Sequence, residues 1–320
     1  MPATFHKPAV SVVIPAKNEA GTIGQCLESI RAASGCRRVE IIVVDNGSAD
    51  DTREIAQALG ALVLAKPGVT ISELRNCGAR LASAPVVAFV DADIVVSESW
   101  LDSALAALGQ PGVVCAGCSP DIPAQSTWMQ RAWHYDIVSS PSSSKRQWLG
   151  SANLLVARDV FEKAGGFDTA LTTCEDVDLG YRLGRYGTIV ADKSIKAVHL
   201  GETRTLAEFF RKESWRGIGN FDGLLRHGLV TSEIPSHLVA FFYLSLYPML
   251  PVLLLLGSSR LLLALFALSL LPPLAKVCRL DGILQSPLTF CQVYLVWLVY
   301  CWARGYAGWR WLRRLWQAAW

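Results

Sequence analysis

The chain lacks the features of a secreted, disulfide-stapled domain. Its first ten residues, MPATFHKPAV, contain no continuous apolar run of the kind that a signal peptide needs. Its nine cysteines follow no framework spacing, and Cys115 and Cys118 form a lone CxxC without the second pair that completes a zinc site. We therefore expect structural thiols in a reducing, cytosolic setting, and an N-terminal part that stays in the compartment where it is made.

Acidic residues are scarce at the C-terminal end, where Asp281 is the single acid after residue 256. The same stretch carries the basic residues Arg260, Lys276, Arg279, Arg304, Arg310, Arg313 and Arg314. The net charge of +3 therefore hides a slightly acidic body and a strongly basic end. Because these basic residues are interleaved with Trp and Leu, the pattern favours a membrane surface as partner, and we expect no nucleic acid.

Long uncharged runs appear only in the last third of the chain, although hydrophobic residues make up 52% of the whole. We predict a membrane region over 237–303 with candidate segments at 238–256, 261–275 and 282–303. The third is the cleanest, with about the 20 residues that a bilayer helix requires, whereas the second is short enough to be re-entrant or interfacial. Buried helices of a soluble protein are the alternative.

A basic, Trp-rich tail follows over residues 304–320. In a helix, one face would carry Trp309, Leu312, Trp316 and Trp320, and the other Arg310, Arg313, Arg314 and Gln317. Such a helix should lie among lipid headgroups on the cytoplasmic side. We therefore expect a multi-pass protein of the cell membrane with a cytoplasmic N-terminal domain, and two full crossings plus one partial one.

The first two thirds of the chain alternate apolar strands with helices. Strands are predicted at Val10–Ile14, Glu40–Val44, Ala61–Leu64, Val86–Val90 and Leu149–Val156, and helices at Asp51–Leu59, Ser72–Ala82, Glu175–Arg185 and Leu206–Trp215. Uniformly apolar strands separated by helices indicate an α/β domain, placed at residues 1–230, with a parallel sheet covered on both faces. Residues 139–144, SSPSSS, are predicted to be a flexible loop.

Three of these strands end in polar residues: Pro15 to Glu19, Asp45 to Ser48, and Asp91 to Asp93. Ligands of such sheets bind beyond the carboxyl ends of the strands, so these residues should form one polar rim. Asp91 and Asp93 have the spacing to hold a hard divalent cation beside a diphosphate. Asp45 could accept hydrogen bonds from a nucleobase or ribose, or could serve its turn alone.

Glu175 and Asp176 open a predicted helix, where the helix dipole favours acids in any case. One of these carboxylates could also take a proton from an attacking hydroxyl. Asp178 and Arg182 are four residues apart and could form a simple ion pair. Both readings of the acids stay open on these grounds.

Five segments in order carry a resemblance to a known family. They are SVVIPAKNEA, VVDNGSADDT, Arg75-Asn76-x-Gly78-Ala79, FVDADI and CEDVDLGYRL. Over about residues 10–220 the chain closely resembles the family 2 glycosyltransferases, which have the Rossmann-like GT-A fold. The resemblance implies inverting transfer from a nucleotide-diphospho-sugar with Mn²⁺ or Mg²⁺ as the cofactor.

The resemblance also implies roles for single residues. On the donor side, Pro15, Glu19 and Asp45 match nucleoside-contacting positions, Arg75 lies in the segment facing the nucleotide, and Asp91 with Ala92 lies near the ribose and sugar. Asp93 matches the principal metal ligand, with Asp91 and His199 as further candidates, although a lone His after a strand is often structural. Asp176 matches the general base, Glu175 is its acidic neighbour, and Gly150 to Asn153 resembles the strand bordering the acceptor pocket.

One departure bears on the product. Processive members of the family usually carry Gln-x-x-Arg-Trp, where this chain has Arg211 to Arg216. The difference favours transfer of a single sugar, with Arg211, Trp215 and Arg216 as candidate contacts to diphosphate or acceptor, or as solvated helix residues. We expect a membrane lipid or glycolipid hydroxyl as the acceptor, with a polyprenyl phosphate as the alternative.

The sequence disfavours two functions from other classes. A non-catalytic nucleotide-binding membrane protein would be expected to lack one or more of the key acids, and none is missing. A nicotinamide oxidoreductase is disfavoured because no GxGxxG follows the first strand.

Overall fold

The computed structural model describes residues 7–138, 141–227 and 234–318. The chain divides into two compact units. Unit 1 comprises Met1–Pro123 and Pro141–Gly201, and unit 2 comprises Ala124–Ser140 and Glu202–Trp320.

Unit 1 contains the strands of the fold. They are β1 (Val10–Ala16), β2 (Val39–Asp45), β3 (Leu62–Ala65), β4 (Val86–Val90), β5 (Ile94–Val96), β6 (Val113–Gly117), β7 (Ser143–Arg146), β8 (Asn153–Ala157), β9 (Thr188–Asp192) and β10 (Ala197–His199). Eight form one sheet in the order β3-β2-β1-β4-β8-β6-β9-β7, and β5 pairs with β10 in a small antiparallel sheet.

The helices are distributed over both units. Unit 1 contains α1 (Ile23–Ser34), α2 (Thr52–Ala58), α3 (Ile71–Leu81), α4 (Trp100–Leu108), α6 (Arg158–Lys163) and α7 (Glu175–Leu183), and unit 2 contains α5 (Trp128–Val138), α8 (Leu206–His227), α9 (Ile234–Leu255), α10 (Ser259–Ser269), α11 (Leu271–Val277) and α12 (Pro287–Ala318).

The main sheet of unit 1 is covered on both faces, as the apolar strands predict. Side chains alternate along β1, so Val12 and Ile14 face a core with α1 and α4, whereas Val13 faces a second core with α3 and α7. A Cβ on Gly78 of α3 would overlap the side chain of Val13. Glycine at this position therefore lets α3 lie close against the sheet.

The sheet is mixed, which corrects the expectation of a parallel one. β3, β2, β1 and β4 are parallel, but β8 runs antiparallel to both β4 and β6. The sequence of an apolar strand does not indicate whether the strand runs parallel or antiparallel to its neighbours. The serine-rich stretch also differs from the prediction, because Ser143 and Ser144 belong to β7, while Ser139 and Ser140 lie outside the described residues.

Unit 2 is a group of helices with its own apolar clusters. Phe209 of α8 packs in one cluster with Val293 and Val296 of α12, and Met129 of α5 lies in the same cluster. Ile218 and Phe221, further along α8, pack with Ala240 of α9 and Ala307 of α12. The compact units divide the chain at positions other than 230, because the apolar face of α8 packs on later helices. The boundary of the catalytic domain at 230 stays a prediction.

Within the described residues, two helical stretches are long and apolar enough to cross a membrane. They are Ile234–Leu255, with mean hydropathy 2.1, and Ser259–Val277, with mean hydropathy 1.7. The first corresponds to the predicted segment 238–256, and the second extends the segment 261–275, which we expected to be too short. In the most apolar part of each stretch, only 17% of the residues are buried. By length and composition alone, either stretch could cross a membrane.

The segment 282–303, predicted as the cleanest span, is not one of these two. Several apolar side chains of α12 in this segment, including Val293 and Val296, are buried. The predicted tail at 304–320 is not a separate helix either, since α12 continues through Ala318. Trp320 lies outside the described residues.

Candidate active site

The sheet brings three strand ends together at one edge of unit 1. β1 lies between β2 and β4 and is parallel to both, with Ala16 beside Asp45 and Val13 beside Phe89. The residues that follow β1, β2 and β4 therefore emerge side by side. Pro15 lies buried within β1, and Ala92 is buried between Asp91 and Asp93.

The loops after β1 and β2 are bonded to each other. Asn18 has a positive φ of 56°, and its backbone N–H donates to Ser48 Oγ at 2.9 Å. The N–H of Glu19 donates to Thr52 Oγ1 at 2.8 Å. Asp45 is fully buried, and its carboxylate accepts from the N–H groups of Gly47 and Ser48. In the structure Asp45 thus organises its turn, and its contact to a nucleoside stays a prediction.

Asp93 and His199 are joined through the small sheet. Ile94 pairs with His199 across β5 and β10, and the N–H of Leu200 donates to the carbonyl of Asp93 at 2.8 Å. This register places His199 Nε2 3.0 Å from Asp93 Oδ2. Two side chains 106 positions apart in sequence are therefore neighbours because of a three-residue ladder.

Gly201 leaves the space that the Asp93 carboxylate occupies. A Cβ at this position would overlap Asp93 Oδ2, the oxygen that contacts His199. Any larger residue would force that carboxylate to turn away. The sequence reading did not single out Gly201. The only available signal was a glycine directly after Ala-Val-His-Leu, which by itself indicates no contact to an acid 108 positions earlier.

Arg75 of α3 connects the strand end to helix α7. Its guanidinium is almost completely buried and donates to Asp91 Oδ1 and to Glu175 Oε1, each at 2.8 Å. It also lies over the ring of Phe167, with 5.5 Å from Cζ to the centroid. Thr70 caps the N-terminus of α3, since its side chain accepts from the N–H of Glu73, and this cap fixes the turn that precedes Arg75. The residue predicted to face a nucleotide thus binds two acids of the chain itself.

Asp176 lies one residue beyond Glu175, in the first turn of α7. Cys174 precedes the helix with a positive φ of 63°. Burial raises the pKa of Asp176 to about 6, and the charge of Glu175 raises it while that of Arg75 lowers it. Asp176 is thus half-protonated only slightly below neutral pH, which suits a group that gains and loses protons.

The acids at the strand ends repel one another. Burial raises the pKa of Glu19, and the charges of Asp93 and Asp91 raise it further, against a hydrogen bond from Thr22 that lowers it. Accumulated negative charge in a partly buried place favours a cation.

A divalent cation fits this site if a ligand completes its coordination. The part of the chain that the structure describes contains no group of three or more His, Cys, Asp or Glu able to hold a metal. Asp93 and His199 offer one carboxylate and one imidazole, and half of the Asp91 carboxylate is taken by Arg75. Mg²⁺ is commonly held by one or two protein carboxylates together with substrate phosphates.

Asn153 does not have the place predicted for it. It is fully buried, its Oδ1 accepts from Trp100 Nε1 at 2.8 Å, and its Nδ2 donates to the carbonyls of Cys118 and Ile195 at 3.1 Å each. Both ends of the amide are therefore used inside unit 1. Asn153 supports the strands instead of presenting a polar group to an acceptor.

The remaining predicted contacts lie on α8 in unit 2. Arg211 and Trp215 are exposed, and Arg216 donates to the buried carboxylate of Glu213 at 2.9 Å. Arg304 Nη2 donates to the same carboxylate at 2.8 Å. Arg216 is thus part of an ion network within unit 2. The roles of Arg211, Trp215 and Arg216 toward a diphosphate or acceptor stay predictions.

Comparison with known proteins identifies the sequence pattern. Residues 11–161 match the family described as Glycosyl transferase family 2. The validoxylamine A glucosyltransferase of Streptomyces hygroscopicus subsp. jinggangensis is 29% identical over 225 residues, covering 58% of this chain and 53% of that protein. The glycosyltransferase AglE of Haloferax volcanii is 31% identical over 200 residues, covering 56% and 65%. The chain thus spans less than two thirds of the length of either relative.

A solved structure shows the same fold. The mannosyltransferase PcManGT of Pyrobaculum calidifontis, determined in complex with GDP-Man and Mn²⁺, has a TM-score of 0.64 and 18% sequence identity. The similarity covers 96% of this chain and 88% of that one. It confirms the GT-A fold predicted from the sequence.

The raised pKa of Asp176 predicts a dependence of stability on pH. Ionised Asp176 is less favourable in the folded than in the unfolded chain, so its contribution to stability is lost as pH rises from 3.8 through about 6. Asp176→Asn should therefore raise the free energy of unfolding at pH 7 by on the order of 2 kcal/mol and leave it unchanged below pH 4. Melting temperatures of the full chain between pH 4 and 8 measure the difference.

Asp159→Asn is the matched control, because the Lys163 hydrogen bond lowers the pKa of this exposed acid. Its effect should be small and of the opposite sign. A difference between Asp176→Asn and the parent chain that does not change with pH would contradict the placement of Asp176.

Proposed function

We propose that this chain, whose residues 11–161 are a glycosyltransferase family 2 domain, transfers one sugar from a nucleotide-diphospho-sugar to a hydroxyl acceptor. The observation that carries the proposal is the pair of 2.8 Å ion pairs that Arg75 forms with Asp91 and Glu175. They keep the acids that follow β4 and the acids that begin α7 in one site. The acids that follow β4 can then bind the donor while an acid of α7 takes the proton of the acceptor, so that both act on the same glycosidic bond.

Asp93 and His199 are proposed to hold the divalent cation, Mn²⁺ or Mg²⁺. When bound, the cation neutralises charge on the departing nucleoside diphosphate. The Pyrobaculum calidifontis mannosyltransferase with the same fold was determined with both Mn²⁺ and a nucleotide-sugar, which supports the use of a divalent cation. Glu19 and Asp91 line the same rim, and Arg75 fixes the Asp91 carboxylate in place.

Asp176 is proposed as the general base, with a pKa of about 6 that leaves it mostly ionised at neutral pH. Its carboxylate takes the proton of the acceptor hydroxyl while the hydroxyl oxygen attacks the anomeric carbon. The bond from that carbon to the diphosphate oxygen breaks, and the electron pair leaves with the nucleoside diphosphate. Attack opposite the leaving group inverts the anomeric configuration.

The acceptor is proposed to be associated with a membrane, and the enzyme to act on the cytoplasmic face. The two apolar helical stretches, Ile234–Leu255 and Ser259–Val277, support attachment. A neutral hydroxyl suits the site better than a phosphate. Glu175 lies beside Asp176, and the guanidinium of Arg75 is already paired with Glu175 and Asp91.

Two substitutions test the mechanism. Asp176→Asn should lower turnover by about 10²- to 10⁴-fold while donor binding is retained, because the base is lost and the donor contacts are not. Asp93→Ala should abolish the metal dependence of donor binding. Membranes containing the chain are incubated with UDP-, GDP- or dTDP-sugars and Mn²⁺ or Mg²⁺. Donor hydrolysis and the formation of labelled product are then measured.

Asp159→Asn, on the exposed side of α6, should match the parent chain in turnover and in donor binding. Near-normal turnover by Asp176→Asn would refute the base assignment. Donor binding by Asp93→Ala that is still strengthened by Mn²⁺ would refute the metal ligand.

Gly201→Ala should weaken the binding of the divalent cation without loss of stability. The added methyl group takes the place of Asp93 Oδ2, and that carboxylate can rotate at little cost to the fold. We expect the apparent affinity for Mn²⁺ to fall at least about tenfold with an unchanged melting temperature, in line with the effect of disturbing groups that orient a ligand. Gly21→Ala is the control, since a Cβ there meets no atom within 4 Å.

A further inference from the structure

The segment Trp148 to Gly150 lies against the helix that carries Asp176. A Cβ on Gly180 of α7 would overlap Trp148 Cβ and would lie 2.7 Å from the carbonyl oxygen of Gln147. Positions 176 and 180 share a helix face because they are four residues apart. The backbone of the segment therefore crosses α7 on the face that carries Asp176, and glycine at position 180 permits the close approach.

The middle residue of the segment is buried and its two end residues are exposed. Leu149 is buried in the core with Leu179 and Leu183 of α7. Its two neighbours, Trp148 and Gly150, are exposed, and 43% of Trp148 remains accessible. Single exposed apolar residues are ordinary on protein surfaces, so the exposure alone indicates little. Trp148 points to a ligand because it lies against Gly180, one helical turn from Asp176 on the same face of α7.

Gly150 lies beside the carboxylate of Asp176. A Cβ on Gly150 would lie 3.9 Å from Asp176 Oδ2, and no other atom would be nearer. A longer side chain at this position would project beside the carboxylate. The segment from Trp148 to Gly150 therefore runs along α7 from Gly180 to Asp176, with both of its end residues exposed.

We propose that Trp148 is the stacking platform for a sugar ring of the acceptor, so that the acceptor hydroxyl belongs to a glycoside or glycolipid. This inference rests on the proposed glycosyl transfer and names the acceptor class for the same site. The apolar C–H face of a pyranose packs on an indole ring, and the indole N–H remains available as a donor. Gly150 then gives the ring hydroxyl access to Asp176.

The charges beside Asp176 argue against the rival acceptor, a polyprenyl phosphate. Glu175 and Asp176 place two carboxylates at the start of α7, and they would repel an ionised phosphate. Arg75, which could offset this repulsion, is bonded to Asp91 and Glu175. An uncharged sugar hydroxyl avoids this cost and needs the base that Asp176 provides.

The test compares Trp148→Ala and Trp148→Phe with the parent chain in membranes. The acceptors are octyl β-glycosides of glucose, galactose, mannose and N-acetylglucosamine, and undecaprenyl phosphate. Trp148→Ala should raise the KM for the glycoside acceptor by about five- to tenfold, and Trp148→Phe should restore most of the loss because a ring remains. The KM for the donor, the rate of donor hydrolysis and the melting temperature should not change.

Two further variants keep the test specific. Gly150→Val should lower kcat for transfer to the glycoside, since its side chain would narrow the approach to Asp176. Tyr186→Ala removes an aromatic ring of similar exposure, 48%, just beyond the other end of α7, and should leave the acceptor KM unchanged.

The outcomes separate this inference from the proposed function. An unchanged glycoside KM in Trp148→Ala, with donor hydrolysis intact, would overturn the stacking platform alone. Faster transfer to undecaprenyl phosphate than to any glycoside would likewise overturn the acceptor class alone. No turnover of any donor by the parent chain would overturn the proposed function and this inference with it.

Discussion

The buried guanidinium of Arg75 is the constraint on which the site of unit 1 depends. A buried charge without partners is costly, so Asp91 and Glu175 must both stay within reach of it. Asp91 follows β4, Glu175 begins α7, and Arg75 itself projects from α3. Three elements that are distant in sequence are thus held at one place. Asp93 and Asp176 are each adjacent to this network, which gives them defined positions without being part of it.

Much of this arrangement could be predicted from the sequence. The apolar runs of β1, β2 and β4 and the polar residues that end them are local signals, and parallel pairing brings them to one edge. The proximity of Asp93 and His199 depends on β5 and β10, which have three residues each. Strands this short carry no periodic pattern, so only the resemblance to a family indicated that His199 belongs here.

Other features needed the structure because they depend on burial. Asn153 lies in a segment that resembles an acceptor-binding strand, yet its amide is used by Trp100, Cys118 and Ile195. The lack of a side chain leaves space for a neighbouring group at Gly201, Gly180 and Gly150. A sequence does not indicate which group occupies that space. In unit 2 the apolar runs were visible, but their composition did not separate the two candidate spans from the partly buried, aromatic-rich α12.

In the proposed mechanism, Asp176 is the base of a direct displacement at the anomeric carbon. The most direct measurement is the configuration of the new glycosidic bond, read by proton NMR from product formed with an α-linked nucleotide-sugar. A base on the side opposite the leaving diphosphate predicts a β-linked product from every such donor. An α-linked product would show that the configuration is retained, and it would contradict the role assigned to Asp176.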